Sequence, residues 1–159
     1  MRLNFISHLT LLFVASIMFA AAPSGWKRVT DPTGSCQAYV PPDWQLGSPY
    51  GYLAVGPSGD RVARMVVRRE LDNKARQVWN GYLSNGSLKV VEQSKTRPIG
   101  KMVSIGSRNV ERLDYFALVA IDDTFTCNAS VTYEFKDRAS TAELDAAVDI
   151  LRTVEPIKK

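Results

Sequence analysis

The 159-residue sequence is nearly without histidine, and this scarcity limits the chemistry open to it. Its one histidine is His8. Histidine is the side chain that most often acts as general base near neutral pH, and it is the commonest nitrogen ligand for zinc or copper. If the segment that contains His8 is removed, the remaining chain excludes histidine-based catalytic triads and histidine-based metal sites.

Long apolar runs are also scarce, and the one that stands out lies near the amino terminus. Arg2 precedes an apolar run at residues 9–19, and three alanines follow at 20–22. This order is typical of a secretory signal peptide, and the run is too short to favour a permanent membrane helix. We therefore predict that residues 1–22 are a cleaved signal peptide, with the exact cleavage site open, and that residues 23–159 form one domain. The protein is expected to be exported, periplasmic or secreted, without a stable membrane span after cleavage.

Charge of one sign is not in large excess. Without residues 1–22 the chain carries 19 Lys and Arg against 16 Asp and Glu, which leaves a net charge of +3. This mild balance suits solubility and differs from the clustered basic footprint of a nucleic-acid-binding protein. We therefore expect no nucleic-acid partner.

Cysteine occurs only twice, at Cys36 and Cys127. In an exported protein an even pair is most simply a disulfide, because oxidising compartments favour its formation. The alternating pattern places Cys127 on the core face of its strand, where a neighbouring strand carrying Cys36 would meet it. A bridge over a loop of this length is worth about 4–5 kcal/mol in the chain-entropy model. Two separate buried thiols are the alternative, which mass spectrometry of unreduced protein would distinguish.

Short strand-like runs separated by turn residues occupy most of the chain. The clearest is 124–135, where apolar and polar residues alternate, so that one face is buried and the other is wet. Asp122 and Asp123 precede it and mark a hairpin turn, which favours an antiparallel sheet. The segments 52–55 and 61–69 are predicted to form a second hairpin. The other predicted strands are 26–30, 36–40, 88–93, 102–107 and 110–121.

Two segments have helical periodicity. The first, 71–83, places its apolar residues on one face, which we expect to pack into the core, with Asp72 as N-cap. The second begins at Ser140 with Glu143 three residues on, the pattern of a capping box, and Pro156 ends it. Together these elements predict an α+β fold, a mostly antiparallel sheet flanked by helices. The apolar residues of the first helix are Leu71, Ala75, Val78, Trp79, Tyr82 and Leu83.

The order of these elements resembles the PsbP-like fold, which is shared by photosystem extrinsic proteins, the Ran-binding Mog proteins and many small exported bacterial domains. The resemblance covers most of residues 26–156. It rests on an early strand that runs into Pro-Pro-Asp-Trp at 41–44, a hairpin, the helix at 71–83, a meander of strands and a closing helix. It implies an α-β-α sandwich that acts as a binding or assembly module rather than an enzyme. The positions at which some members bind metal do not map onto this sequence, so no metal and no cofactor is expected.

Three aromatic residues form the first candidate surface for partner binding. Trp44, Tyr50 and Tyr52 lie around a loop rich in glycine and proline, where large rings with polar tips can form a recognition surface. In the alternative interpretation, Trp44 plugs the edge of the sheet and the two tyrosines cover it.

Four arginines form the second candidate surface. Arg61, Arg64, Arg68 and Arg69 concentrate positive charge that could meet an anionic partner. A solvated strand face is the alternative, because strand alternation places Arg64 and Arg68 on one face and the other two arginines on the opposite face. The charge is therefore divided.

Candidates for catalysis are weak. The adjacent carboxylates Asp122 and Asp123 are residues that commonly occur in hairpin turns. Ser104 and Lys101, a possible serine–lysine pair, would lie on opposite faces of a strand. We therefore expect a non-catalytic exported binding or assembly module that engages an envelope or secreted protein, with the oligomeric state left open. The alternative is a small-ligand or lipid carrier with an apolar pocket between sheet and helix.

Overall fold

A computed structural model describes residues 22–47, 53–56, 61–105, 111–135 and 141–158. Within these ranges the chain forms two helices, α1 (Asp72–Ser84) and α2 (Thr141–Arg152). The strands are β1 (Lys27–Thr30), β2 (Cys36–Val40), β3 (Gln45–Leu46), β4 (Leu53–Val55), β5 (Arg61–Leu71), β6 (Leu88–Glu92), β7 (Ile99–Ile105), β8 (Glu111–Ala120), β9 (Phe125–Phe135) and β10 (Glu155–Pro156).

The strands form two antiparallel sheets. The large sheet has seven strands in the order β3-β4-β5-β9-β8-β7-β6, and the small sheet has the order β1-β2-β10. The hairpin between β8 and β9 forms as predicted, because the Asp122 carboxylate accepts hydrogen bonds from the backbone N–H groups of Thr124 and Phe125, both at 2.8 Å. The predicted α+β class with a mostly antiparallel sheet is confirmed.

The long strands β5 and β9 pair from Arg61 opposite Phe135 to Leu71 opposite Phe125 and form the centre of the large sheet. Their alternation decides which face is buried. Met65, Val67, Ala129 and Val131 are buried on what we call the inner face. The intervening residues lie on the outer face, as expected for side chains of period two.

The core lies between the inner face, the small sheet and α2. Val29, Ala38 and Val40 of the small sheet are fully buried, as are Ile150 and Leu151 of α2. The layers therefore fill the space between them with branched aliphatic side chains, and helix α2 closes the end of the sandwich.

The predicted disulfide between Cys36 and Cys127 is confirmed, and neither cysteine is free. Its position differs from the expectation in one respect. Cys36 lies in β2 of the small sheet, so the bridge crosses the core between two sheets and does not join neighbouring strands of one sheet. A strand pattern predicts which face a cysteine occupies, and it carries no information on which sheet faces it.

Helix α1 crosses the outer face of the large sheet. It starts where β5 ends, with the backbone N–H of Asp72 donating to the carbonyl of Thr124 at 2.9 Å. It packs closely over Gly100, where an added Cβ would lie 3.0 Å from Trp79 of the helix and 2.9 Å from Leu88 of β6. Glycine at this position lets the helix approach the strand.

The apolar stripe of α1 is less buried than its periodicity predicts. Ala75 is buried, but Leu71, Val78 and Tyr82 are 46%, 50% and 38% exposed. The expectation of a core-packed stripe is therefore wrong for these three residues. Only α1 lies on the outer face within the described part of the chain. No described residue packs on the side of α1 that faces away from the sheet.

Two details of the helix ends differ from the sequence expectation, and a third is not tested. Leu71 is the N-cap of α1 and makes no side-chain capping bond, whereas Asp72 is the first helical residue and pairs with Arg76 at 2.7 Å. Helix α2 ends at Arg152, four residues before Pro156, which pairs with Cys36 in β10. Ser140, the expected N-cap of α2, lies outside the described residues.

Two short strands were not predicted, β3 and β10, each of two residues. No helix in the described part of the chain is long and apolar enough to span a membrane.

Candidate functional site

A cleft of about 520 Å³ lies between α1 and the outer face of the large sheet, and we call it the α1 cleft. One wall is α1 itself. Its floor spans five neighbouring strands of the large sheet, in the order β5-β9-β8-β7-β6. The helix contributes Ala75, Val78, Trp79 and Tyr82, and the floor is Val66, Arg68, Leu88, Met102, Ser104, Arg112, Asp114, Phe116, Leu118, Asn128 and Ser130.

Strand register sets the floor. Ser130 of β9 lies opposite Val66 on one side and Phe116 on the other. In the next row, Asp114 lies between Thr132 and Met102. Because side chains opposite one another in an antiparallel sheet point to the same face, each row brings polar and apolar groups together on the floor of the cleft.

The apolar part of the α1 cleft lies along the helix. Leu88 and Leu118 are buried, and Trp79, Met102 and Phe116 are half-buried. Large partly exposed apolar groups around a concave surface are typical of ligand sites. The cleft lies across the sheet from the closed core, so an occupant would not need the core to open.

A buried carboxylate anchors the opposite side of the floor. Asp114 is only 1% exposed. Its carboxylate accepts hydrogen bonds from Nε of Arg112 at 2.9 and 3.0 Å and from Oγ1 of Thr132 at 2.6 Å. The hydrogen bonds to Asp114 raise the pKa of Arg112, against the opposing effect of desolvation. These contacts neutralise Asp114 and hold it in place, which suits a structural role better than acid–base chemistry.

Arg68 contributes a loosely paired positive charge to the cleft. Its guanidinium lies 3.5 Å from the carboxylate of Glu70, and its side chain is 59% exposed. The same Glu70 oxygen, Oε2, accepts a shorter bond of 2.6 Å from Nδ2 of Asn128. An exposed pair at this distance contributes little, so Arg68 is open to a better anionic partner.

The predicted aromatic surface is not supported at Trp44. The side chain of Trp44 is 5% exposed and belongs to the core, where its ring lies 3.3 Å from the position a Cβ would take on Gly56. Its carbonyl accepts a hydrogen bond from Nζ of Lys27 at 2.8 Å. The structure thus corrects the partner-binding expectation for Trp44 in favour of the packing alternative. Tyr50 and Tyr52 lie outside the described residues.

The four candidate arginines are divided between the faces of β5, as alternation predicts. Arg64 and Arg68 are exposed on the outer face, and only Arg68 lines the α1 cleft. Arg69 lies on the other face, with its guanidinium carbon 3.3 Å from the centre of the Phe125 ring. Arg61 occupies the first position of β5, and its side chain is not among those described.

Sequence reasoning missed the residues that build the floor of the cleft. The available signal was Asp114, the one charged residue within residues 113–120 of β8. A carboxylate at such a position needs partners in the fold. Alternation places Arg112 on the same face of β8 as Asp114. Nothing in the pattern identified Thr132 as the second partner, because that contact depends on strand register.

Further cavities lie outside the α1 cleft. One of about 340 Å³ lies on the opposite side of α1, beside Arg76 and Leu83. Another of about 710 Å³ lies beside Pro156 and Ile157. No group of three or more His, Cys, Asp or Glu side chains in the described ranges is arranged to hold a metal ion.

Comparisons with known proteins place the fold. No family model and no curated protein matches the sequence. A crystal structure from Bacteroides thetaiotaomicron matches with a TM-score of 0.54 at 12% identity over 85% of this chain, which spans 50% of that protein. The Saccharomyces cerevisiae Ran-binding protein Mog1p matches with a TM-score of 0.50 at 15% identity, covering 82% of this chain and 94% of Mog1p. A structure of a Mog1 mutant gives the same score. The chain is therefore similar in fold to Mog1p. This agrees with the resemblance to the PsbP-like fold that the order of its helices and strands indicates.

Proposed function

We propose that this protein is a non-catalytic, exported binding or assembly module that engages an envelope or secreted protein. The observation that carries the proposal is the distribution of exposed apolar side chains. Of eight large apolar side chains exposed among the described residues, six belong to α1, β6 and β7. Val90, Val91, Val103 and Ile105 lie on the last two strands of the large sheet, and because Met102 and Ser104 face α1, Val103 and Ile105 lie on the opposite face. Exposed apolar groups gathered near one edge of a sheet are typical of protein interfaces. The six are Val78, Tyr82, Val90, Val91, Val103 and Ile105.

The edge of the large sheet offers a second means of engagement. Among the described strands, β6 is the last of the order, so one side of its backbone lacks a strand partner. Such an edge can pair with an extended segment of another protein, and apolar neighbours add contact area. Val90 and Val91 on β6 are 42% and 41% exposed, and Val103 on β7 is 59% exposed.

Two further findings support a protein partner in an oxidising compartment. Mog1p, which has this fold, is a Ran-binding protein and thus binds another protein. The disulfide between Cys36 and Cys127 is of a kind that persists in oxidising, extracytoplasmic compartments. The partner of the present chain would then be a protein of the envelope or the medium.

Site-specific photocrosslinking in the cells that make the protein tests this proposal. A crosslinking residue at Val90 or at Val103 should capture the same partner protein. The matched control is Arg28, an exposed strand position on the small sheet, where capture should be absent. Equal capture from all three positions, or none from Val90 and Val103, would overturn the proposed surface.

Export is tested separately, by sequencing the amino terminus of the native protein. The mature chain should begin near residue 23. Native material that retains Met1 and comes from the reducing cytosol would contradict the exported location.

A second candidate function, a small-ligand carrier, is favoured by the α1 cleft. Its volume of about 520 Å³ lies within the range of about 300–1,000 Å³ that small-molecule sites occupy. The expected pocket between sheet and helix therefore has a counterpart on the outer face. Mass spectrometry of the gently purified protein, looking for a small molecule that is retained on it, tests this candidate.

A further inference from the structure

We propose that the α1 cleft binds an amphiphile with a single apolar chain and an anionic head group, with the chain along α1 and the head group on Arg68. The proposal rests on the second candidate function and specifies its ligand. It depends on two properties of the cleft, an apolar wall and a loosely paired positive charge.

The apolar wall is continuous from the helix to the floor. Val78 and Tyr82 are 50% and 38% exposed on the helix. Trp79, Met102 and Phe116 are half-buried beside them. An alkyl chain laid between these side chains would remove their remaining apolar surface from water, which is the main favourable contribution available to such a ligand.

The charges of the cleft favour an anionic head group. The carboxylate of Asp114 is occupied by Arg112 and Thr132. Glu70 makes its shortest bond to Asn128, at 2.6 Å, and reaches Arg68 only at 3.5 Å. These two carboxylates are thus engaged, and Glu134, opposite Arg112 on the neighbouring strand, faces the charge of that arginine. A cationic head group would compete with an existing partner at each of the three.

Arg68 is suited to a carboxylate or phosphate. Its guanidinium presents a planar set of donors that matches either anion with two parallel hydrogen bonds. Its 59% exposed side chain lies at the margin of the cleft, so the head group would stay partly hydrated. The ligand therefore loses the water around its chain and only part of the hydration of its head group.

Isothermal titration of the intact mature protein with laurate, below its micelle concentration, tests the proposal. Dodecyltrimethylammonium has a chain of the same length with a cationic head and serves as the matched control ligand. Laurate should bind at least about tenfold more tightly, since its carboxylate accepts charge-assisted hydrogen bonds from Arg68 that the ammonium head cannot make. Laurate binding should change the tryptophan fluorescence of the protein, because Trp79 lines the α1 cleft. This change should disappear in Trp79→Phe.

Two pairs of variants locate the head and the chain. Arg68→Gln should weaken laurate binding about tenfold, whereas Arg64→Gln should leave it unchanged, because Arg64 is exposed on the same face of β5 outside the cleft. Val78→Asn should weaken binding of both amphiphiles. Val103→Asn, an equivalent change at a 59% exposed valine, should not. All four substitutions replace exposed residues, and unchanged circular dichroism would show that each variant is folded.

The outcomes separate this inference from the proposals on which it depends. Equal binding of the two amphiphiles, or equal effects of Arg68→Gln and Arg64→Gln, would overturn the anionic head group. No laurate binding together with a different retained small molecule would overturn the ligand class and leave the carrier function standing. No laurate binding and no retained molecule would refute the carrier function as well. Crosslinking from Val90 tests the protein-binding function whatever the result with laurate.

Discussion

Cys36 and Cys127 connect the two sheets across the core, with their Cα atoms 5.7 Å apart and a sequence separation of 91. Both are fully buried. Cys36 belongs to β2 of the small sheet, and Cys127 belongs to β9, near the centre of the large sheet. The bridge therefore fixes the distance between two layers that share no backbone ladder.

Replacing both cysteines by alanine should lower the free energy of unfolding by about 3–5 kcal/mol, because the bridge restricts a long loop in the unfolded chain. Urea denaturation of the variant and of the wild-type protein measures this loss. Reduction of the wild-type protein should produce a comparable shift in the midpoint. A midpoint that does not change on reduction would contradict a structural role for the bridge.

The turn before Cys36 is organised by a buried carboxylate. Asp31 is 3% exposed and accepts four hydrogen bonds, from the backbone N–H groups of Thr33, Ser35 and Cys36 and from the Thr33 hydroxyl. Burial acts to raise the pKa of Asp31, but these hydrogen bonds together outweigh it and lower the pKa below its ordinary value. The ionised form is therefore stabilised in the folded protein.

Asp31→Asn should lower the free energy of unfolding at pH 7 by about 1–3 kcal/mol, because the neutral amide is a weaker acceptor. Since the folded-state pKa is the lower one, the contribution is present above the unfolded pKa of about 4 and is lost as pH falls through the folded value. The difference between wild type and variant should shrink as the pH falls below about 4. Urea denaturation at several pH values measures it. Asp43→Asn, at an exposed neighbouring aspartate, is the control, and a difference that stays constant with pH would contradict the role of the charge.

Most of the large sheet could be predicted from the sequence because its strands are long and one face is buried. In β9, alternation over eleven residues specifies both the strand and its inner face. The adjacent hairpin followed from Asp122, whose short side chain bonds the turn backbone. These signals are local, so a single sequence contains them.

The remaining features depend on contacts that no local pattern carries. Strands β3 and β10 have two residues each, too few for a period to emerge. Helix α1 has a clear apolar stripe, but whether Val78 and Tyr82 become buried depends on what covers the outer face. The floor of the α1 cleft depends on register between β8 and β9, which brings Thr132 to Asp114. Helical periodicity therefore predicted the wall of the cleft and missed its partial exposure.

Gly100 and Gly81 form a matched pair that tests the packing of α1. A Cβ at Gly100 would lie 2.9 Å from Leu88 and 3.0 Å from Trp79, whereas nothing lies within 4 Å of the same atom at Gly81. Gly100→Ala should destabilise the protein by about 1–3 kcal/mol through overpacking. Gly81→Ala, at an exposed position within the helix, should stabilise it by about 0.5–1 kcal/mol. Thermal denaturation measures both, and a shift of the same sign in the two variants would contradict the close approach of α1 to β7.

The contact between Arg112 and Asp114 should show as a coupling in stability. In Arg112→Met, the buried carboxylate of Asp114 keeps its hydrogen bond from Thr132 and loses those from the guanidinium. In Asp114→Leu, the guanidinium of Arg112 loses the carboxylate that it pairs with. Because the Arg112 side chain is 42% exposed, water screens the pair and the loss in each single variant should be about 1–3 kcal/mol. In the double variant neither charge is left unpaired, so its loss should be smaller than the sum of the two by about 1–2 kcal/mol. Urea denaturation of the four proteins completes the cycle. Additive losses would mean that the two side chains act independently and that the Asp114 carboxylate is held chiefly by Thr132.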